Sequence, residues 1–338
     1  MKNKTIGSSI LDIAKKQSSL LILAAILVFA IFFEDGNFWQ IGNITNVLRL
    51  VGIFGVLALG KMFVVIGGGY DFSLGSTYAL AGIIAAYLQR FGVVGMLLGP
   101  IAAGALIGFL NGTLVSRLRL APFVATIATS LLFRGIAYVS TPGALSMMID
   151  SEAFSELGNG ALFGIIPYTF IIFIVFAVIS EIFLRHTVLG RHIFAIGGNY
   201  EAATMVGVKS EFVKTISYTL CGAFAGFAGA LLAARAGSGT PTVGTTILLN
   251  VVAAIVLGGM SLKGGDGSVT KVIIGSFIMK IIENLVNLNG KLQYYDIDVI
   301  TATVVLLVIV VQAVIVIRED NKKKGSEKLD NKLRGKNA

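Results

Sequence analysis

Apolar runs long enough to cross a bilayer recur along this sequence, at roughly 18–33, 47–66, 74–89, 93–115, 121–140, 162–184, 213–234, 246–262, 269–288 and 297–317. A helix needs about 20 mostly apolar residues to span the hydrocarbon core. No water reaches backbone groups there, so spanning segments are helices or closed barrels. The runs predict an all-α, polytopic membrane protein of about ten transmembrane helices, with broken or re-entrant segments among them. Only 13% of the 338 residues are charged, against about 25% in a soluble domain, too few to cover soluble surfaces. Glycine, at 41 residues, suits helices packed closely in lipid. Lys15 and Lys16 precede the first run as in a signal peptide. Phe33-Glu34-Asp35-Gly36 follows it without a small-x-small cleavage pattern, so the run is read as a retained helix.

The net charge of +9 would suggest nucleic acid in a soluble protein. In a membrane protein, Lys and Arg set the orientation instead. With the N-terminus inside and ten spans, 20 of the 27 basic residues fall on the inner face. Four fall outside (Arg49, Arg90, Arg235 and Lys291), and Lys61, Arg134 and Lys280 lie within spans. This split predicts that both termini are cytoplasmic; an odd number of spans would put the basic tail outside. The chain divides into a cytoplasmic N-terminal segment 1–17, a transmembrane domain 18–317 and a basic cytoplasmic tail 318–338 lying against an anionic inner leaflet. Cys221 is the single cysteine, and His186 and His192 are the only histidines. Neither a disulfide nor a metal or redox site is expected from them.

The helical pattern breaks twice at glycine. Gly67-Gly68-Gly69-Tyr70-Asp71-Phe72-Ser73 separates the second and third runs, and Gly258-Gly259 through Gly264-Gly265-Asp266-Gly267-Ser268 separates the eighth and ninth. Glycine admits non-helical backbone, which at membrane depth is tolerated beside a cavity or inside protein. Transporters bind or gate at such breaks; the alternative is a tight turn with Ser73 capping the next helix. The second break lacks the Lys-Ser/Thr ending of a phosphate-binding loop. Polar residues inside or beside the runs are candidates for a translocation pathway: Asp71, Ser73, Asn111, Thr126, Thr129, Arg134, Asn284 and Asn287. Helix–helix hydrogen bonding accounts equally for the asparagines, and snorkelling to the interface for Arg134.

The longest inner loop, 185–212, carries its own helix signals. Asn199 is placed to cap a short helix, Glu201 falls in its first turn, where the helix dipole favours an acid, and Gly207 ends it. Such a helix serves as a docking element or lies on the lipid surface.

The stretch Gly190-Arg191-His192-Ile193-Phe194-Ala195-Ile196-Gly197-Gly198-Asn199-Tyr200-Glu201-Ala202-Ala203 closely resembles the coupling loop of bacterial ABC sugar importer permeases of the ribose/galactoside/xylose type. Three further stretches are similar to the same family in the same order: 68–76, 122–129 with Arg134-Gly135, and 240–244 leading to 253–259 and 264–267. The resemblance covers about residues 45–315. It implies a permease subunit of the bacterial cytoplasmic membrane, two copies of which, or one with a close paralogue, form the pore. It also implies a cytosolic ATPase docking at Gly190, Arg191, Gly197, Gly198, Asn199, Glu201, Ala202 and Ala203, and an extracytoplasmic solute-binding protein on the outer face. The solute is then a monosaccharide or a related small polar molecule. The chain itself would be no enzyme and would hold no cofactor, ATP being bound by the partner.

This sequence departs from the family where Tyr70 replaces a usual Ile, where Leu248 and Asn250 replace frequent acids, and where Asp296 replaces a frequent Gln. Branched-chain amino-acid permeases share the architecture and are the second reading. An ATP-independent carrier would need ion-coupling carboxylates in its spans, for which only Asp71 and Glu283 qualify. An intramembrane enzyme would need paired catalytic groups on adjacent spans, and the sequence offers none.

Overall fold

A computed structural model describes residues 18–32, 34–141, 143, 145–288 and the helical positions 299, 302, 303, 306, 307 and 310. The chain divides into two units, Met1–Gly290 and Lys291–Ala338. The N-terminal segment 1–17, most of the expected span 297–317 and the tail 318–338 lie outside the described residues.

In the first unit, α1 (Ser18–Phe32) leads through a short 3₁₀ turn into α2 (Ile41–Ile66). After the first break come α3 (Leu74–Tyr87), α4 (Gly92–Ser116) and α5 (Pro122–Val139). The short helix α6 (Glu152–Asn159) precedes α7 (Tyr168–His186). Helices α8 (Val188–Gly198) and α9 (Tyr200–Met205) form the inner loop, and α10 (Ser210–Ala236), α11 (Ile247–Leu257) and α12 (Val269–Leu288) complete the unit. Two pairs of two-residue strands stand between them: β1 (Met147–Met148) with β4 (Ser238–Gly239), and β2 (Ala161–Leu162) with β3 (Ile166–Pro167).

Among the described residues, five helical stretches are long and apolar enough to cross a membrane: 41–66, 89–116, 122–139, 168–186 and 210–236. They divide by burial. The apolar window of α2 is 89% buried inside the protein, whereas that of α5 is 22% buried. Apolar residues left open on α5, among them Leu131, Leu132 and Val139, therefore form a face suited to lipid rather than a core. Helix α2 is the centre: it packs on α7, α10 and α12, while α10 also packs on α3 and α4.

The α4–α10 contact is made by backbone. A Cβ added at Gly104 would overlap the Gly222 carbonyl, and one at Gly108 the Tyr218 carbonyl. Small residues let two helices approach this closely and gain dispersion energy where water supplies no hydrophobic force.

The expected spans correspond to helices with three corrections. Residues 162–167 belong to the β2–β3 hairpin, turning through Phe163 and Gly164 at positive φ, so the sixth helix starts at Tyr168. The eighth run, 246–262, is helical only over the 11 residues Ile247–Leu257. At about 1.5 Å per residue this covers roughly half a bilayer core. Gly258 and Gly259 end it, the latter at φ 87°. Helix α3 has 14 residues, 12 of them buried; protein encloses it except at its last residue, Tyr87, as a segment too short for lipid requires.

Candidate functional site

The first break is a buried polar assembly. Helix α2 ends where Gly67 N, Gly68 N and Gly69 N bond back to Phe63 O, Val65 O and Val64 O. Gly68 takes φ 68°, a left-handed turn suited to glycine. Beyond it, the Tyr218 hydroxyl of α10 donates to Tyr70 O at 2.9 Å and lies 3.2 Å from Tyr70 N. Lys61, 1% exposed, donates from Nζ to Asp71 O at 2.7 Å. Asp71 Oδ1 accepts from Ser73 N at 2.8 Å and from Ser73 Oγ at 2.7 Å.

The chain of bonds continues across helices. Asn111 Nδ2 of α4 donates to Ser73 Oγ at 2.7 Å, and Thr129 Oγ1 of α5 donates to Asn111 Oδ1 at 2.7 Å. Phe72 N donates to Thr126 Oγ1 at 3.0 Å. Asp71, Ser73, Asn111, Thr126 and Thr129 are thus one network, and each is buried. Buried polar groups must be paired, and here the pairing fastens the break to α2, α4 and α5 at once. The expectation that Ser73 caps α3 by its side chain is corrected: Ser73 has αR backbone and makes no side-chain cap. Its hydroxyl is already engaged by Asp71 and Asn111.

The remaining pathway candidates lie elsewhere. Arg134 Nη1 donates to Pro241 O at 2.5 Å and to Val243 O at 2.7 Å. It ties α5 to the loop before α11, so its charge is satisfied by protein carbonyls and not only by snorkelling. Asn284 exchanges two hydrogen bonds with Asn43 of α2, at 2.8 and 3.0 Å, whereas Asn287 is exposed. Lys280, which the sequence places within a span, lies 2.5 Å from Glu283 and above the Phe54 ring; the pairing with Glu283 was not foreseen. The i, i+3 spacing of that pair was the available signal.

The inner loop folds as two helices. Helix α9 begins as expected: Asn199 is its N-cap, with Oδ1 accepting from Ala202 N at 2.9 Å. Glu201 falls in the first turn, and Gly207 follows the helix at φ 90°. Glu201, Ala202 and Arg191 are exposed, while Ala203 is 5% exposed and packs inward. Helix α8 before it was not anticipated; Thr187 caps it through Gly190 N at 3.0 Å. Gly190 itself is buried, with no room for a Cβ beside the Phe183 and Leu184 carbonyls. Tyr200, at the start of α9, has its phenol pKa raised, first by burial and then by Glu211.

Three glycine motifs meet at the base of α9. Gly265 N donates to Ile66 O at 2.8 Å. A Cβ on Gly197 would overlap that same Ile66 carbonyl and crowd Gly265 N. One on Gly264 would come 2.7 Å from Gly68 Cα, and one on Gly265 would come 2.8 Å from Gly198 Cα. Backbone therefore packs on backbone among the first break, the inner loop and the second break. Tyr70 adds a side-chain strap, its hydroxyl donating to Leu262 O at 3.0 Å. A displacement of α8–α9 has no compressible side chain here to absorb it.

Long apolar helices, with two glycine breaks joined at a short capped helix, place the chain among polytopic membrane proteins. A family model described as "Branched-chain amino acid transport system / permease component" matches residues 43–318, and the chain belongs to that family. The chain is 35% identical over 295 residues to the ribose import permease protein RbsC of Escherichia coli K12, covering 86% of this chain and 91% of the relative. It is 37% identical over 278 residues to RbsC of Bacillus subtilis 168, covering 81% and 86%. It is 33% identical over 281 residues to the L-arabinose ABC transporter permease protein AraH of Azospirillum brasilense, covering 82% of each. No solved structure matches the chain. The protein is a multi-pass permease subunit of the ATP-binding-cassette importer type, located in the cytoplasmic membrane.

Proposed function

We propose that this permease carries a monosaccharide or similar small polyol-like solute inward, driven by ATP hydrolysis on a separate cytosolic ATPase. The names of the relatives support the substrate class, since RbsC and AraH are ribose and L-arabinose permeases. This favours the sugar reading over the branched-chain amino acids in the family's description. The ATPase docks on α9, an extracytoplasmic binding protein delivers solute to the opposite face, and a second copy of this chain or a close paralogue completes the pore. ATP is bound by the ATPase, and this chain contributes no catalytic group.

One observation carries the mechanism: α9 offers an exposed, capped first turn on one side and stands on the glycine junction on the other. Movement imposed on α9 passes to Ile66 and Gly265 without slack. Both breaks then shift together, and with them the helix ends they terminate. Asp71, Ser73, Asn111, Thr126 and Thr129 hold the network that this shift must reorganise. Arg134 and Asn284 act from the outer half, where they fix α5 and α12.

The test is reconstitution of the chain in proteoliposomes with its ATPase and binding protein. Glu201→Lys, on the exposed first turn of α9, lowers ATP-driven uptake at least about tenfold, the loss of roughly 1.4 kcal/mol of coupling. Membrane insertion and thermal stability stay unchanged. Uptake equal to wild type overturns the docking role of α9.

A further inference from the structure

A cavity of about 700 Å³ opens between the α4–α5 connection and the α9–α10 connection. That size is typical of small-ligand sites. Four cations line it, Arg117, Arg119, Lys209 and Lys214, against a single carboxylate, Glu211. None of the four cations forms an ion pair among the described residues. Lys214 sits 5.3 Å above the Tyr200 ring. Arg119 holds φ 53°, a left-handed conformation that costs a non-glycine residue about 1 kcal/mol or more and persists where the surroundings impose it. Four cations are thus gathered in a concave site against the one carboxylate of Glu211 in its lining.

The surroundings choose the class of anion. The charge distribution places this end of the helices on the cytoplasmic side. Leu120 and Phe212 line the cavity, and Leu118, Phe123 and Val124 beside it are exposed apolar side chains at the start of α5. A ligand that fits carries a phosphate on one end and hydrocarbon on the other. Basic pockets between transmembrane helices on the cytoplasmic side have this relation to anionic headgroups. We propose that this cavity binds the phosphate headgroup of an anionic inner-leaflet phospholipid, with its acyl chains along the open apolar start of α5. The same cavity is lined by Tyr200 and Thr204 of α9, so the bound lipid braces the docking helix. The brace rests on the reading that α9 meets the ATPase; the binding itself does not.

The full-length chain is purified in mixed vesicles of phosphatidylglycerol and phosphatidylcholine, and the lipid it retains is counted by native mass spectrometry. Wild type retains phosphatidylglycerol over phosphatidylcholine about tenfold. The Arg119→Gln/Lys214→Gln double variant loses the preference, and Arg119→Lys/Lys214→Arg, which keeps the charge, retains it. Soluble glycerol phosphate does not displace the lipid. Three results overturn the proposal: equal retention of the two lipids by wild type, a preference unchanged in the Gln variant, or displacement by glycerol phosphate, which assigns the cavity to a soluble phosphate. A Gln variant that keeps its lipid but no longer associates with the ATPase assigns the cavity to that partner and overturns it as well. Lipid retention is read without any ATPase, so its failure leaves the docking role of α9 standing and is distinguishable from loss of uptake in Glu201→Lys.

Discussion

Lys61 and Asp71 set the terms at the residue scale. Lys61, 1% exposed inside an apolar helix, is held by the hydrogen bond that its Nζ donates to Asp71 O. Asp71→Asn keeps an oxygen for Ser73 but removes the negative charge. Removing the negative charge that two buried Ser73 bonds rely on costs about 1–3 kcal/mol, so this variant loses several degrees of melting temperature in detergent. Adding Lys61→Met removes the buried amino group and recovers part of the loss. A double-mutant cycle shows a coupling of about 1–3 kcal/mol, and strictly additive effects would refute the pairing. Polarity in an apolar run marked Asp71, Asn111, Thr126 and Thr129 as special. Their meeting through Ser73 could not be read from a chain in which Asn111 lies 38 residues from Ser73.

Elements differ in how far local signals define them. Helix α9 was legible to the residue because a cap is a local device: Asn199 accepts from Ala202 N three positions on, and nothing distant is needed. What the sequence left open was which face of α9 is free. Ala202 is exposed and Ala203 buried, so a bulky side chain at 202 probes docking while one at 203 disrupts the loop itself. Helix α8 was missed because its glycines, Gly190, Gly197 and Gly198, argue against a helix by propensity; packing too tight for a Cβ outweighs that at Gly190 and Gly197. The junction makes a sharp prediction. Gly197→Ala forces a methyl group against Ile66 O, so α8–α9 separate from the breaks. ATP hydrolysis by the assembled transporter then continues while solute uptake falls at least about tenfold. Uptake that stays proportional to hydrolysis would show that the junction does not transmit movement.

For the whole molecule, the proposed function divides the work between this chain and a separate ATPase. The feature that supports it is the exposed capped helix α9, which stands on the two glycine-rich breaks. The purified chain alone hydrolyses no ATP above background in a coupled assay, and activity returns only with the ATPase added. Turnover by the isolated chain would refute the assignment. The burial contrast between α2 and α5 fits the same design: a packed centre that holds the breaks, and peripheral helices that meet lipid or a second copy.

By itself, the sequence determined the class of fold, the approximate spans among the described residues and the capped helix of the inner loop. Each depends on hydrophobic length, charge count or residues within one turn of each other, which are properties of contiguous chain. The tertiary structure decided the rest. It showed that the eighth run stops after half a bilayer, that Ser73 serves Asp71 and Asn111 instead of capping α3, and that Arg134 secures the 241–243 carbonyls. It also brought Gly68, Gly197 and Gly265 together. A glycine in sequence signals only freedom; whether that freedom becomes a turn, a close approach or a joint depends on which backbone arrives from the far end of the chain.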